Sequence, residues 1–267
     1  MPKFAFVTHK PKAEVVAKAF QKGANALKME CRVTKKPMIR RDEIAVFYGV
    51  VPSTFFAFLE NRAAGSLIYL DNGWLSHPHN KTFRWAWNGV QADPQSLWPD
   101  PEHYQKLGNY LHPWSKRRLP EPDKPTALIC LQTPHYFETV GIPFSRDAWC
   151  KALWRHLRNE GYYVAVRPKP SKAVPETHPL ETEIDAASLV VSLNSAVSVR
   201  ALARGVPAVC SLPTSLGNLV PCLPPPPHKL ETPDQGRVLD TFQRLASADF
   251  TLDELASGDA LHRMLSV

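Results

Sequence analysis

Residues Ser188 to Leu212 read SLVVSLNSAVSVRALARGVPAVCSL, and the order of apolar and polar positions in that stretch decides the fold. Leu189-Val190-Val191 is a short β-branched run that reads as a buried strand. Val197, Ala201 and Leu202 recur at helical spacing, Gly205 ends that helix, and Val206 to Val209 starts a second buried strand. Two strands joined through a helix make a βαβ unit, which forces them parallel. Polar residues gather only at the first turn of this unit. There Asn194, Ser195 and Ser198 stand where backbone N–H groups and the positive end of the helix dipole attract a phosphate. Asn194 and Ser195 also suit a plain helix cap, so the rest of the chain must choose between the two readings.

Working outward, the same alternation of strand and helix fills two α/β halves. Phe4 to Val7 reads as a first strand, Ala13 to Lys22 as an amphipathic helix ending at Gly23, and Arg32-Val33 as a short second strand. Ile44 to Val51, a helix from Phe55 to Arg62 and a strand from Ser66 to Leu70 follow, the last running into Asp71-Asn72-Gly73. Leu119 to Pro125 is polar and rich in proline, the best linker in the chain. Beyond it come a strand from Ala127 to Leu131, a helix from Arg146 to Glu160, a strand from Tyr163 to Arg167, and the βαβ unit. Val220 to His228, with its run of prolines, reads as a crossover, and helices are expected around Gln235 to Ala246 and Leu252 to Met264. The expected organisation is therefore an amino-terminal domain over 1–120, a carboxyl-terminal domain over 125–235, and terminal helices over 236–267 packing back on the body. Two Rossmann-like halves of this kind would face a central crevice.

Composition narrows the class. With 267 residues, 44% hydrophobic and 21% charged, the chain can bury a sizeable core, and no stretch is apolar enough to span a membrane. The amino terminus shows no cleavable signal, from which a cytoplasmic location is expected. Five cysteines without paired C-x-x-C spacing read as reduced core residues, and no zinc site or other cofactor is indicated. Charge is uneven. Residues 1–41 hold eleven Lys or Arg against Glu14 and Glu30, a balance of +9, while the whole chain is +7. Such a one-signed region is either a solvated face or the footprint of a polyanionic partner.

Three polar clusters end apolar strands, where open α/β sheets keep their chemistry. Asp71-Asn72-Gly73-Trp74 follows SLIYL, Arg167-Pro168-Lys169-Pro170 follows YYVAV, and Asn194-Ser195 follows LVVSL. Singly, the first is good turn sequence and the second an exposed edge. Together they suit one job: Arg167, Lys169, Asn194, Ser195 and Ser198 gripping a diphosphate, with the Asp71 carboxylate opposite. Thr8-His9-Lys10 ends the first strand and offers His9 as an alternative base. Trp74, Phe83, Trp85, Trp87 and Trp98 form an aromatic-rich stretch, of which Trp74 or Trp85 could stack on a sugar or an unpaired base. His77 and His79 lack a third ligand at metal-binding spacing.

These clusters resemble the motifs of the nucleotide-sugar-dependent glycosyltransferases of the GT-B class, especially the capsule-type and sialyltransferase-like enzymes. Those families carry an acidic-acidic-Gly base motif, a His-Pro motif and a Ser motif. The resemblance implies Asp71 as base, Lys169 where the family has His, and Ser195 on the phosphate; Asn72 stands in place of the second acid. A carboxylate would deprotonate the acceptor hydroxyl as it attacks the anomeric carbon, and cations with N–H groups would stabilise the departing phosphate without a metal. The compact length is also similar to the small phage transferases that glycosylate hydroxymethylated pyrimidines. On that reading Lys10, Lys35, Lys36, Arg40 and Arg41 contact DNA and the pyrimidine is extruded beside Asp71. An acidic capsular polysaccharide is the alternative acceptor. A nucleotide- or nucleic-acid-binding module without catalysis, and an epimerase acting on the nucleotide sugar itself, are the competing classes.

Overall fold

The computed structural model describes residues 1–49, 51–76, 81–88, 97–107, 125–139, 142–170, 178–210 and 226–266. The chain divides into two compact units, Met1–Tyr110 with Gln243–Val267, and Leu111–Phe242. The boundary thus falls inside the helix that the sequence assigns to a separate terminal segment. The linker from Leu119 lies outside the described residues, as do His77, His79 and most of the Val220 to His228 crossover.

The first unit is built on a six-stranded sheet. In chain order its elements are β1 (Lys3–Val7), α1 (Pro11–Ala26), β2 (Glu30–Thr34), β3 (Glu43–Tyr48), α2 (Phe55–Ala63), β4 (Leu67–Asn72), β5 (Phe83–Trp87) and α3 (Pro101–Lys106). Strands β2-β1-β3-β4 run parallel, and β5 pairs antiparallel with β4. Phe-Ala-Phe-Val in β1 is apolar at every position because both faces of a parallel sheet are covered. Phe4 and Phe6 meet Phe20 of α1 edge-on at 5.3 and 5.5 Å, while Val7, Ala45, Phe47 and Tyr69 pack with Phe58 of α2 on the other face.

Several boundaries differ from expectation for local reasons. Helix α1 runs through Gly23 to Ala26 instead of stopping there. Gly23 serves close packing, since a Cβ on it would overlap the Leu255 carbonyl. Strand β3 ends at Tyr48, where Gly49 takes φ +66°, a left-handed conformation that breaks the strand. Asp71 and Asn72 belong to β4 and not to a turn, because β5 pairs with them at Arg84 and Phe83.

The second unit holds β6 (Thr126–Cys130), α4 (Pro134–Thr139), α5 (Arg146–Asn159), β7 (Tyr163–Arg167), α6 (Leu180–Ala186), β8 (Leu189–Ser192), α7 (Ala196–Ala203) and β9 (Ala208–Cys210). Its four strands are all parallel in the order β7-β6-β8-β9. Phe137, Trp149, Leu157 and Tyr162 cover one face over Ala127, Ile129, Leu189 and Val191. Helix α6 is tied down by three arginines, Arg200 to Glu181, Arg167 to Glu183 and Arg204 to Asp185.

Helix α8 (Gln235–Ala248) leads into β10 (Asp249–Phe250), α9 (Leu252–Ser257) and α10 (Asp259–Leu265). The expected single helix from Leu252 to Met264 is two, split at Gly258 with φ +97°. Strand β10 adds to the first sheet beside β5, and α9 packs on α1. His103 of α3, between the Ala246 carbonyl at 2.7 Å and Glu254 of α9 at 2.9 Å, fastens this return.

Candidate functional site

Both sheets share one topology. Each places its first strand second, its second strand at the edge, and its third on the other side, so the connection changes direction between β1 and β3 in one unit and between β6 and β8 in the other. Ligands of open α/β sheets sit outside the carboxyl ends of strands at that point. In the first unit this edge carries Thr8-His9-Lys10 after β1, Tyr48-Gly49 at the end of β3, and Asp71-Asn72 at the end of β4.

The two residues closing β4 point to opposite faces, as successive strand residues must. On the α1 face, Asn72 Oδ1 accepts from Lys12 Nζ at 2.5 Å and from the Tyr48 hydroxyl at 3.0 Å. Lys10 and Lys12 both lie over the Tyr48 ring, at 5.2 and 5.6 Å from its centre. Among the described residues neither lysine has a carboxylate within ion-pair distance. Partial burial lowers the Lys12 pKa, with the Asp71 charge opposing and Lys81 and Lys10 adding to the effect. On the α2 face, Asp71 Oδ2 accepts from the Tyr69 hydroxyl at 3.2 Å and from Arg84 at 3.4 Å, while Oδ1 accepts the Asn72 N–H at 2.7 Å. The carboxylate is held on three sides and remains 27% exposed. His9 has both ring nitrogens buried without a hydrogen-bond partner among the described residues; burial, then Lys10, lowers its pKa, which keeps the imidazole neutral and able to accept a proton.

The other expected acceptor residues separate. Trp74 and Trp85 are 1% and 4% exposed, so neither offers a stacking face: Trp74 lies under the Arg84 guanidinium at 3.8 Å and Trp85 is part of β5 in the core. Lys35 and Lys36 follow the carboxyl end of β2, Lys35 reaching Glu14 at 3.4 Å. Arg40 and Arg41 precede β3 and therefore lie at its amino end, about 16 Å from the edge that holds Asp71. A parallel pair must bring the chain back by a full strand length, which divides the basic run between opposite ends of the sheet. Part of the charge is also neutralised, Lys3 by Asp42 at 3.1 Å and Arg32 by Glu43 at 2.6 Å.

In the second unit, Ser195 caps α7, its hydroxyl accepting the Val197 N–H at 3.3 Å. The Asn194 side chain is buried, and the backbone carbonyl of Asn194 accepts from Gln132 Nε2 at 3.1 Å, tying the ends of β6 and β8 together across the change of direction. Ser198 turns inward, bonded to Ser192 at 2.9 Å and to Cys210 at 3.5 Å, which removes it from a phosphate site. Arg167 is buried, donating to Glu183 at 2.5 Å and to the His178 carbonyl at 3.0 Å; its charge holds α6 in place. Lys169 is exposed. A cavity of about 570 Å³ beside Leu189, Pro207, Lys229 and Arg237 lies at the amino ends of β8 and β9, away from Ser195.

Reading by strand ends missed Lys12, Tyr48, Arg84 and Gln132. Gln132 stands two residues past Cys130 in ALICLQTP and carries the same signal as Asn194; the other three are placed by pairing and packing. Among the described residues no group of three or more His, Cys, Asp or Glu could hold a metal, and no helix is long and apolar enough to cross a membrane.

The fold is that of a mixed α/β protein with two separate sheets. No protein-family model matches the chain, and no curated protein matches it. Among solved structures it is similar to the beta Kdo 2,7 transferase of Thermosulfurimonas dismutans KpsC, with 14% identity, a TM-score of 0.57, and coverage of 98% of this chain and 99% of that one. It is also similar to the beta Kdo 2,4 transferase of the same KpsC, with 14% identity, a TM-score of 0.50, and coverage of 91% and 90%. At this identity the likeness is one of fold, and it extends over nearly the whole chain.

Proposed function

We propose that the chain is a glycosyltransferase of the GT-B kind, moving a sugar from a nucleotide-sugar donor to a hydroxyl of an acidic saccharide, with Asp71 as the base. The observation that carries this reading is the Asp71 carboxylate: oriented by Tyr69, Arg84 and the Asn72 N–H, yet open to solvent at a strand end surrounded by Lys10, Lys12 and Lys81. A carboxylate so held can take the proton of an attacking hydroxyl, and Lys10 and Lys12 beside it, without an ion pair among the described residues, suit an acceptor bearing carboxylates or phosphates. His9 is the alternative base. On the donor side, the amino end of α7 at Ser195, with Lys169, supplies N–H groups and a cation for the charge that develops on the leaving phosphate.

The saccharide acceptor is preferred to hydroxymethylated DNA for two reasons. The structures that share the fold are named as Kdo transferases, and the basic run that would track a duplex is split between two ends of the sheet. A thermal-shift screen of nucleotide sugars identifies the donor. The labelled donor is then offered to acidic oligosaccharides, to hydroxymethylated DNA and to unmodified DNA. Transfer to the acidic saccharide is expected, with Asp71→Asn folded, still binding donor, and slower by about 100-fold or more. Transfer to hydroxymethylated DNA alone overturns the acceptor assignment; full turnover in Asp71→Asn with a dead His9→Ala exchanges the two bases.

A further inference from the structure

The loop that follows Asp71 is shaped around a carboxylate from the far end of the sequence. Asp249 of β10 is 0% exposed and accepts the Trp74 N–H at 3.1 Å, the Leu75 N–H at 2.8 Å and the Thr82 hydroxyl at 2.9 Å. Gly73 fits between these groups only because it lacks a side chain: a Cβ there would overlap Thr82 Oγ1 and stand 2.5 Å from Asp249 Oδ2.

Strand register supplies a second link. Asp71 pairs with Arg84 across β4 and β5, and Arg84 pairs with Asp249 across β5 and β10. Directly opposed residues share a face, so a carboxylate, a guanidinium and a second carboxylate stand in one row across three strands. The Arg84 guanidinium sits over the Trp74 ring and donates Nη2 to Asp71, while its Nε is buried with no acceptor among the described residues. We propose that Asp249 is a positioning residue for the Asp71 site: it holds the Gly73–Leu75 loop through its amides and shares the Arg84 charge with Asp71, so that each carboxylate responds to the other.

The surroundings make Arg84 the common element. Asp249 faces Arg84 and three neutral donors, and Asp71 faces Arg84 and Tyr69, with Lys12 and Tyr48 on the opposite face of the sheet close enough to feel its charge. Burial pushes the Asp249 pKa up to about 6, against the pull of the Leu75 and Trp74 amides, the Thr82 hydroxyl and Arg84.

The functional weight of the proposal rests on the reading of Asp71 as the base, but its test needs no substrate. In the ¹⁵N-labelled full chain, the Trp74 and Leu75 amide resonances report Asp249, with a midpoint near pH 6 that vanishes in Asp249→Asn. Arg84→Gln removes a cation and should raise that midpoint. Asp71→Asn releases Arg84 toward Asp249 and should lower it, each by about 0.3 pH unit or more. A midpoint indifferent to Asp71→Asn, or moved the same way by both changes, overturns the proposal. Asp71 is partly exposed, so its variant carries the test even if Arg84→Gln fails to fold. Turnover of Asp71→Asn is read separately: if it persists, the base assignment falls, while the coupling is judged on the midpoints alone.

Discussion

Arg32 shows how much of a basic stretch is spent inside the fold. Its guanidinium grips Glu43 through Nε and Nη2, both at 2.6 Å, and Glu43 also accepts the Arg40 N–H at 2.8 Å. The Arg32 bonds first, and the Arg40 amide after burial is opposed, hold the Glu43 pKa down at about 2. A lowered folded pKa contributes stability that is present above the ordinary glutamate value of 4.5 and is lost as pH falls through about 2. Thermal unfolding of Glu43→Gln against the parent chain should therefore show a deficit at pH 6 that shrinks steadily below pH 4.5; a deficit constant across that range removes the ion pair as its cause. The +9 balance of residues 1–41 stops just short of Asp42 and Glu43, which is why counting charge along the chain overstated the free cations in space.

Elements with their own periodicity were legible. Tyr163–Arg167 is found as read, β1, β8 and α7 within a residue or two, and the turn at Ser195 caps its helix. Strand β5 was passed over because its Phe-Arg-Trp-Ala-Trp looks like loose aromatic packing until β4 supplies a partner, and β10 is too short at two residues to leave a periodic trace. The same limit hid the surroundings of Asp71: a carboxylate at a strand end can be read locally, whereas Arg84 and Asp249 line up with it only through cross-strand register. Gly23 gives a sharp check on this kind of non-local constraint. In an unconstrained helix interior Gly→Ala gains about 1 kcal/mol. In α1 the added methyl would overlap the Leu255 carbonyl of α9, so Gly23→Ala should instead cost about 1–3 kcal/mol in denaturant unfolding. A stabilised variant would mean that α9 can move off α1.

At the scale of the whole chain, the two units repeat one strand order without any visible sequence repeat, since order follows from connection handedness and strand burial and not from particular side chains. They differ in continuity. Residues Leu111–Phe242 are contiguous, whereas the first unit takes its last strand and two of its helices from Gln243–Val267. A chain ending at residue 248 should therefore lose amide-exchange protection over β5 and the Trp74–Leu75 turn while β6 to β9 keep theirs; protection unchanged at β5 would show that β10 is dispensable. The same arrangement sets a schedule during synthesis. Ribosomes add about 5–20 residues per second, so about 8–33 s separate the emergence of Trp87 from that of Phe250. Throughout that interval the edge of β5 at Phe83 and Arg84 lacks the strand that pairs with it in the finished sheet. The unit whose translation starts first is the one that matures last.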